Sequence, residues 1–202
     1  MSASRALLFL PLTFLLACPA IETMDDGGTR EDAGMPADSG VLDAGVICTG
    51  ACQVTTAKAQ FGNAQRPFDR AQFGLTSPSN SSSGGWELHV ELHGGGSSAC
   101  PEQSSPTPDR TLIIAGLKSP LIPAVYATDA GIKATLFDFD GDLTQAPLLR
   151  AGQTWVDVTA ANTCETCPGG ERFIAFELNA AFDGGTVAGH VYGTHCSSLD
   201  TL

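Results

Sequence analysis

The recurrence of short β-prone runs from residue 48 to residue 202 constrains the fold more than any other feature. Within these residues no stretch of 11 or more shows the apolar period of an amphipathic helix. The runs are separated by clusters of Gly, Pro, Ser and Asn, which favour turns. The clearest run is Trp86–His93, where apolar side chains alternate with Glu and His, as in a strand with one buried face. The pattern predicts an all-β domain.

Seven more runs have the length and composition of strands. They are Gln53–Phe61, Phe68–Leu75, Thr111–Leu117, Ile132–Phe139, Thr154–Ala160, Phe173–Phe182 and Thr186–His195. The last two flank Asp183-Gly184-Gly185, a turn sequence that predicts a hairpin. About eight strands and no helix in residues 48–202 predict an antiparallel β-sandwich or jelly roll.

The first 17 residues have the layout of a secretory signal peptide, with Arg5 followed by a mostly apolar run from Ala6 to Ala17. That run is too short to span a bilayer as a helix, and Pro11 in its middle argues against a buried helix. Leu15-Leu16-Ala17-Cys18 resembles the lipobox of bacterial lipoproteins. The resemblance implies cleavage after residue 17 and acylation of Cys18, which becomes the mature N-terminus.

The sorting signal of such lipoproteins lies directly after the acylated cysteine. In many Gram-negative species an Asp at that position retains the lipoprotein in the inner membrane, whereas this chain has Pro19 there. The resemblance therefore implies export and lipid anchoring to the cell envelope, at the outer membrane where the host has one.

Residues 18–47 have the composition of a disordered tether. Beyond Cys18 the segment is rich in Gly, Asp and Ala, lacks aromatic residues, and carries seven acidic side chains against one basic side chain, Arg30. It cannot bury enough apolar surface to offset the entropy lost on ordering. As a flexible coil of 30 residues it would span on the order of 30 Å. It resembles the acidic Asp-Ala-Gly tethers of some bacterial surface lipoproteins.

The acidic charge balance bears on the class of partner. The net charge is −12 and the pI is about 4.4. Nucleic acid is not expected as a partner, because Lys and Arg must neutralise its phosphates. Electrostatic adhesion to anionic lipid is disfavoured for the same reason. The lipid on Cys18 is therefore the expected membrane attachment.

Six of the seven cysteines remain after Cys18 is assigned to the lipid. An even number of cysteines in an exported domain indicates disulfides, here three bridges with 15 possible connectivities. Cys164 and Cys167 are close enough in sequence to form a local bridge, and Cys48 and Cys52 can do the same. Cys100 and Cys196 would then pair.

Cys164-Glu165-Thr166-Cys167 also has the spacing of a redox CxxC motif. In thioredoxin-like proteins this motif begins a helix, whereas Pro168-Gly169-Gly170 follows it here and indicates a turn. We therefore interpret Cys164 and Cys167 as a structural disulfide.

Strand histidines are the candidates for a metal site. One face of a strand carries His89, Glu91 and His93. In an extended strand the Cα atoms of His89 and His93 are about 13 Å apart, which is too far for both side chains to bind one ion. A site would need one neighbouring pair completed from another strand, so we name His89, Glu91 and His190 as candidate ligands. The alternative interpretation is a solvated polar face.

The acidic run Asp138–Asp142 resembles two known motifs in part. It is similar to the first motif of haloacid-dehalogenase phosphatases, but no lysine follows Lys133 to hold the phosphoryl group. It is also similar to the start of an EF-hand loop, but Leu143 replaces the turn glycine and Leu149 replaces the last ligand. A hairpin with a type I′ turn at Asp140-Gly141 is the favoured interpretation.

No catalytic motif meets its structural requirements, so we expect a non-catalytic binding or structural β-domain that uses no cofactor. Its ligand could be a cell-surface protein, a peptide or a glycan. The loops Thr76–Gly85 and Gly94–Asp109 are the candidate binding regions, because binding loops often connect the strands of a sandwich. The alternative is a metal-binding protein or metal-dependent enzyme that uses the strand histidines.

Overall fold

The computed structural model describes residues 48–81, 83–163 and 171–201. The strands in this part are β1 (Lys58–Phe61), β2 (Ala64–Pro67), β3 (Arg70–Thr76), β4 (Glu87–Gly94), β5 (Arg110–Lys118), β6 (Ala124–Ala127), β7 (Lys133–Asp138), β8 (Leu148–Arg150), β9 (Gln153–Asn162), β10 (Phe173–Phe182) and β11 (Gly185–His195). The helices described are single 3-10 turns at Gly50–Gln53, Thr128–Ala130 and Ser197–Leu199. Within the described ranges no helix has the length and apolarity needed to cross a membrane.

The strands form one curled, mixed sheet in the order β6-β9-β10-β11-β3-β4-β5-β7-β8. Strand β1 pairs with β11, and β2 pairs with β1. All neighbours are antiparallel except β11 and β3, which run parallel from Gly193 opposite Ala71 to His195 opposite Phe73. The β-rich fold predicted from the sequence is confirmed. The sheet differs from the expected fold in having eleven strands and one parallel pair.

One face of the sheet carries the core. In β4 the side chains of Leu88, Val90 and Leu92 are at most 1% exposed, as the alternation in the sequence predicted. Neighbouring strands bury large side chains against them, which include Phe73, Ile114, Leu136, Ile174 and Phe176. In β4 this burial on one side leaves Glu87, His89 and Glu91 on the outer face.

The hairpin predicted at Asp183-Gly184-Gly185 is confirmed. Phe182 pairs directly with Gly185, so that two residues make the turn between β10 and β11. Gly184 has a φ of +79°, a conformation that glycine adopts without the steric cost of a Cβ atom.

Two disulfides lie in the described residues, Cys48–Cys52 and Cys100–Cys196. These are the local and the long-range pairs that the spacing of the cysteines favoured. The first bridge closes 4 residues of sequence and the second closes 96. Cys164 and Cys167 lie outside the described residues, as do Cys18 and the segments expected to form a signal peptide and a tether.

Segments at the two ends of the described domain cover parts of the outer face. The Cys48–Cys52 segment packs on Ala160 of β9 and Ala175 of β10. The C-terminal 3-10 turn crosses β3 so closely that a Cβ atom on Gly74 would collide with the backbone of Leu199. The start of β9 and the end of β10, which pair with each other, lie apart from both of these segments.

Candidate functional site

An open cleft of about 890 Å³ lies where β6, β9 and β10 meet on the outer face. Its volume is within the range of small-molecule binding sites, about 300–1,000 Å³. The lining residues are Ala127, Thr128, Asp129, Gly152, Gln153, Thr154, Trp155, Asn179 and Ala181.

Trp155 forms the centre of the cleft floor. It alternates along β9 with Val156, whose side chain is buried in the core, so the indole points outward and remains 39% exposed. Its cross-strand neighbours are Ala127 on β6 and Asn179 on β10. The small alanine on one side leaves part of the indole uncovered by neighbouring side chains.

The Thr128–Ala130 turn forms one wall. The Thr128 hydroxyl accepts a hydrogen bond from the Thr154 amide at 2.6 Å and donates one to the Thr154 carbonyl at 3.2 Å. Gly131 ends the turn with a left-handed φ of +92°. These contacts fix the wall to β9 and leave Asp129 exposed at its rim.

Two amide side chains of the cleft, those of Gln153 and Asn179, are available to a ligand. Within the described residues, no hydrogen bond engages the side chains of Gln153 or Asn179. Asp129 is the only ionisable side chain among the described lining residues. The cleft therefore presents an aromatic face, two primary amides and one carboxylate, and no cation.

The structure does not bring together the metal ligands named from the sequence. Within the described ranges, no group of three or more His, Cys, Asp or Glu side chains is arranged to hold a metal ion. His190 Nδ1 contacts Glu177 at 2.8 Å, and its Nε2 contacts the Cys52 carbonyl at 2.8 Å. His190 also lies outside the stretch in which β11 pairs with β3, whereas His89 and Glu91 lie on β4.

The polar face of β4 is a covered cluster and not a solvated surface. Arg70 pairs in register with His93, and His93 pairs with Thr111 on β5. His93 is 4% exposed, and its Nδ1 lies 3.1 Å from the Thr111 hydroxyl. The segment 97–108 lies over the cluster and encloses about 230 Å³, with Glu91 also in the lining.

Burial perturbs the ionisation of this cluster. Desolvation, assisted by the positive charge of Arg70, lowers the pKa of His93 to about 4. Desolvation also lowers the pKa of His89 and raises the pKa of Glu91. At neutral pH His93 is therefore uncharged, and its 3.4 Å contact with Glu91 is not an ion pair.

We expect the free energy of unfolding to fall by about 2–3 kcal/mol as the pH drops from 6.5 to 4. The unfolded His93 takes up a proton near its ordinary pKa of 6.5, whereas the folded one does so only near 4. The contribution of His93 to the free energy of unfolding is therefore complete above pH 6.5 and is lost progressively between pH 6.5 and pH 4. Denaturant unfolding at several pH values measures this slope.

His93→Asn is the matched variant for this prediction, since an amide can keep the contact with Thr111 but cannot titrate. We expect it to flatten the pH dependence. Glu91 acts in the opposite sense, because its raised pKa adds stability at low pH. An unchanged slope in His93→Asn would show that other groups cause the acid sensitivity.

The acidic run after β7 holds a loop together. The Asp138 carboxylate accepts hydrogen bonds from the amides of Leu143 at 3.0 Å and Thr144 at 2.9 Å. Asp142 forms a salt bridge with Arg66 of β2. The expected hairpin between the flanking strands is present, but residues 139–147 connect them instead of a two-residue turn.

Of the two loops named from the sequence, neither lines the Trp155 cleft. Residues 97–108 cover the Arg70–His93 cluster, while Ser77 and Asn80 bond to each other within the first loop. Trp155 was not named as a site residue. Its signal was present, because a tryptophan in phase with the polar side of a strand points away from the core.

No protein-family model, curated protein or solved structure matches the chain.

Proposed function

We propose that this chain is a lipid-anchored protein of the bacterial cell envelope whose β-rich domain binds a ligand in the Trp155 cleft and catalyses no reaction. The lipobox-like residues 15–18 support the anchor, and the acidic residues 18–47 support a tether that holds the domain away from the lipid surface. Pro19, in the position where an Asp signals inner-membrane retention, supports the outer membrane as the destination where the host has one.

The exposed ring of Trp155, with the unengaged amides of Gln153 and Asn179 beside it, is the observation that carries the binding function. Exposed tryptophans are frequent anchors of binding sites because they bury a large area with little loss of side-chain entropy. Among the described lining residues there is no Ser, Cys or His, Asp129 is the one carboxylate, and the Thr128 hydroxyl is engaged by the Thr154 backbone, which favours binding over catalysis.

Co-sedimentation tests this proposal. Full-length protein in a mild detergent without sugar head groups is mixed with delipidated envelope material from the host and centrifuged. We expect the protein to sediment with the material, and Trp155→Ala to weaken the association about tenfold or more. The matched control is Phe139→Ala, because Phe139 is an exposed aromatic residue that lies outside the cleft.

Equal sedimentation of wild type and Trp155→Ala would contradict a binding role for the cleft. Turnover of the bound material by wild-type protein, measured as released soluble fragments, would contradict the non-catalytic assignment.

A further inference from the structure

We infer that the Trp155 cleft binds an uncharged carbohydrate chain, an inference that rests on the proposed binding function and names its class of ligand. The cleft joins an aromatic platform to side chains that both donate and accept hydrogen bonds. A sugar has the complementary surface, with apolar C–H faces and a rim of hydroxyl groups.

The platform is the indole of Trp155. Its π face carries partial negative charge, which attracts the weakly positive C–H groups on the flat side of a pyranose ring. The ring is 39% exposed, and alanines at positions 127 and 181 keep the floor low around it. The exposed part of the indole therefore offers a ligand an aromatic surface with small neighbours.

The amides of Gln153 and Asn179 match sugar hydroxyl groups. Each primary amide carries two donor hydrogens and one acceptor oxygen, and each hydroxyl group both donates and accepts. Gln153 lies two positions before Trp155 on β9, and Asn179 lies directly opposite Trp155 on β10. Asp129 adds a carboxylate acceptor at the rim.

The surface beyond the cleft suits a linear chain. A row of cross-strand partners runs from Trp155 through Asn179 and Ala188 to Lys58, and all four side chains are exposed. Four neighbouring strands at about 4.8 Å spacing give this row a length of about 14 Å. Its small and polar side chains leave room for further sugar units next to the one on Trp155.

Other ligand classes fit less well. An anionic ligand would meet Asp129 and no lining cation on a chain of net charge −12. A metal ion requires more ligands than this one carboxylate. A quaternary ammonium group is usually enclosed by several aromatic rings, whereas Trp155 is the only aromatic lining residue described.

The same geometry argues against hydrolysis of the sugar. Most glycoside hydrolases use two carboxyl groups on opposite sides of the scissile bond. Asp157 and Glu177 are cross-strand neighbours near the cleft, but neither lines it. Glu177 is also engaged by His190 at 2.8 Å.

Selective destruction of the ligand tests the class. Envelope material is treated with periodate, which cleaves the vicinal diols of sugars, or with a broad-specificity protease. We expect periodate to abolish co-sedimentation and protease treatment to leave it intact. Calorimetric titration with neutral hexasaccharides of β-1,4-linked glucose, mannose and xylose, each of which keeps a periodate-sensitive vicinal diol, should then identify at least one that binds.

For that oligosaccharide we expect Trp155→Ala to weaken binding about tenfold or more and Trp155→Phe to weaken it less, since phenylalanine keeps an aromatic face. Phe139→Ala should bind as wild type does. Asn179→Ala provides an independent variant that removes an amide while retaining the platform, and should also weaken binding.

Loss of co-sedimentation after protease treatment but not after periodate would overturn the inference in favour of a peptide ligand. So would the failure of all three hexasaccharides to bind, or competition by tetramethylammonium. In each of these cases Trp155-dependent binding to untreated material would persist, so that only the ligand class would be wrong. Absence of any binding to untreated material would instead refute the proposed function.

Discussion

Replacing both Cys100 and Cys196 with alanine is expected to lower the free energy of unfolding by about 4–5 kcal/mol. The bridge closes 96 residues, and in the chain-entropy model a long closed loop restricts the unfolded chain most strongly. It also ties the segment over the Arg70–His93 cluster to the end of β11. Denaturant unfolding of the oxidised wild type and the double variant measures the difference.

The matched control replaces Cys48 and Cys52, which close only 4 residues of sequence. The same model gives that bridge about 2 kcal/mol. A larger loss for the short bridge than for the long one would contradict the chain-entropy explanation. It would mean that packing of the N-terminal segment on Ala160 and Ala175 stabilises the fold more than the long bridge does.

Cys18→Ser is expected to abolish acylation and with it the membrane attachment of the protein. The physical reason is partition, because each buried CH₂ of an acyl chain contributes about 0.8 kcal/mol and several chains make release very slow. Serine has no thiol to acylate, so an unprocessed precursor or a soluble product should accumulate. Labelling cells with a palmitate analogue and fractionating them measures both effects.

Arg5→Lys is the control for this experiment, since it retains the positive charge before the apolar run and should leave labelling unchanged. Equal incorporation of label into wild type and Cys18→Ser would contradict lipid attachment at this residue. The proposed location in the envelope would then lose its basis.

The longer strands could be predicted from the sequence because their apolar alternation is a local signal. Strand β4 and the hairpin of β10 and β11 illustrate this, since each buries every second residue over much of its length. Strands β2, β6 and β8 were not predicted. They have three or four residues each, too few for a period of two to stand out.

The sheet topology could not be predicted, because pairing is a property of residues far apart in the chain. The parallel contact of β11 with β3 involves only three residue pairs. No local pattern distinguishes it from the antiparallel contacts elsewhere in the sheet. Because the twisted sheet curls, a single sheet encloses the core. The sequence predicted a core between two separate sheets.

The cleft could not be predicted from the sequence for a related reason. The register of β9 and β10 shifts between Ala175 and Phe176, and this irregularity decides that Asn179 faces Trp155. The wall with Asp129 comes from a single 3-10 turn that carries no periodic signal. The outward position of Trp155 could be predicted from the alternation along β9, but the residues around it could not.

For the polar residues of β4, the shared face could be predicted from the sequence but its burial could not. His89, Glu91 and His93 were correctly placed on one face of a strand, but whether solvent reaches that face depends on the segment 97–108 above it. Burial lowers the pKa of His93, and the charge of Arg70 from the neighbouring strand lowers it further. The perturbed ionisation of this face is therefore a tertiary effect.

Acrylamide quenching of Trp155 fluorescence tests most directly whether the cleft is the binding site of this protein. The chain has two tryptophans, so Trp86→Phe makes Trp155 the only tryptophan, which excitation at long wavelength selects over the tyrosines. Adding delipidated envelope material should shift the emission to shorter wavelength and reduce quenching, because a bound ligand excludes water from the exposed indole. Unchanged emission and quenching at a concentration where the protein sediments with the material would show that binding occurs elsewhere, and would contradict the central claim.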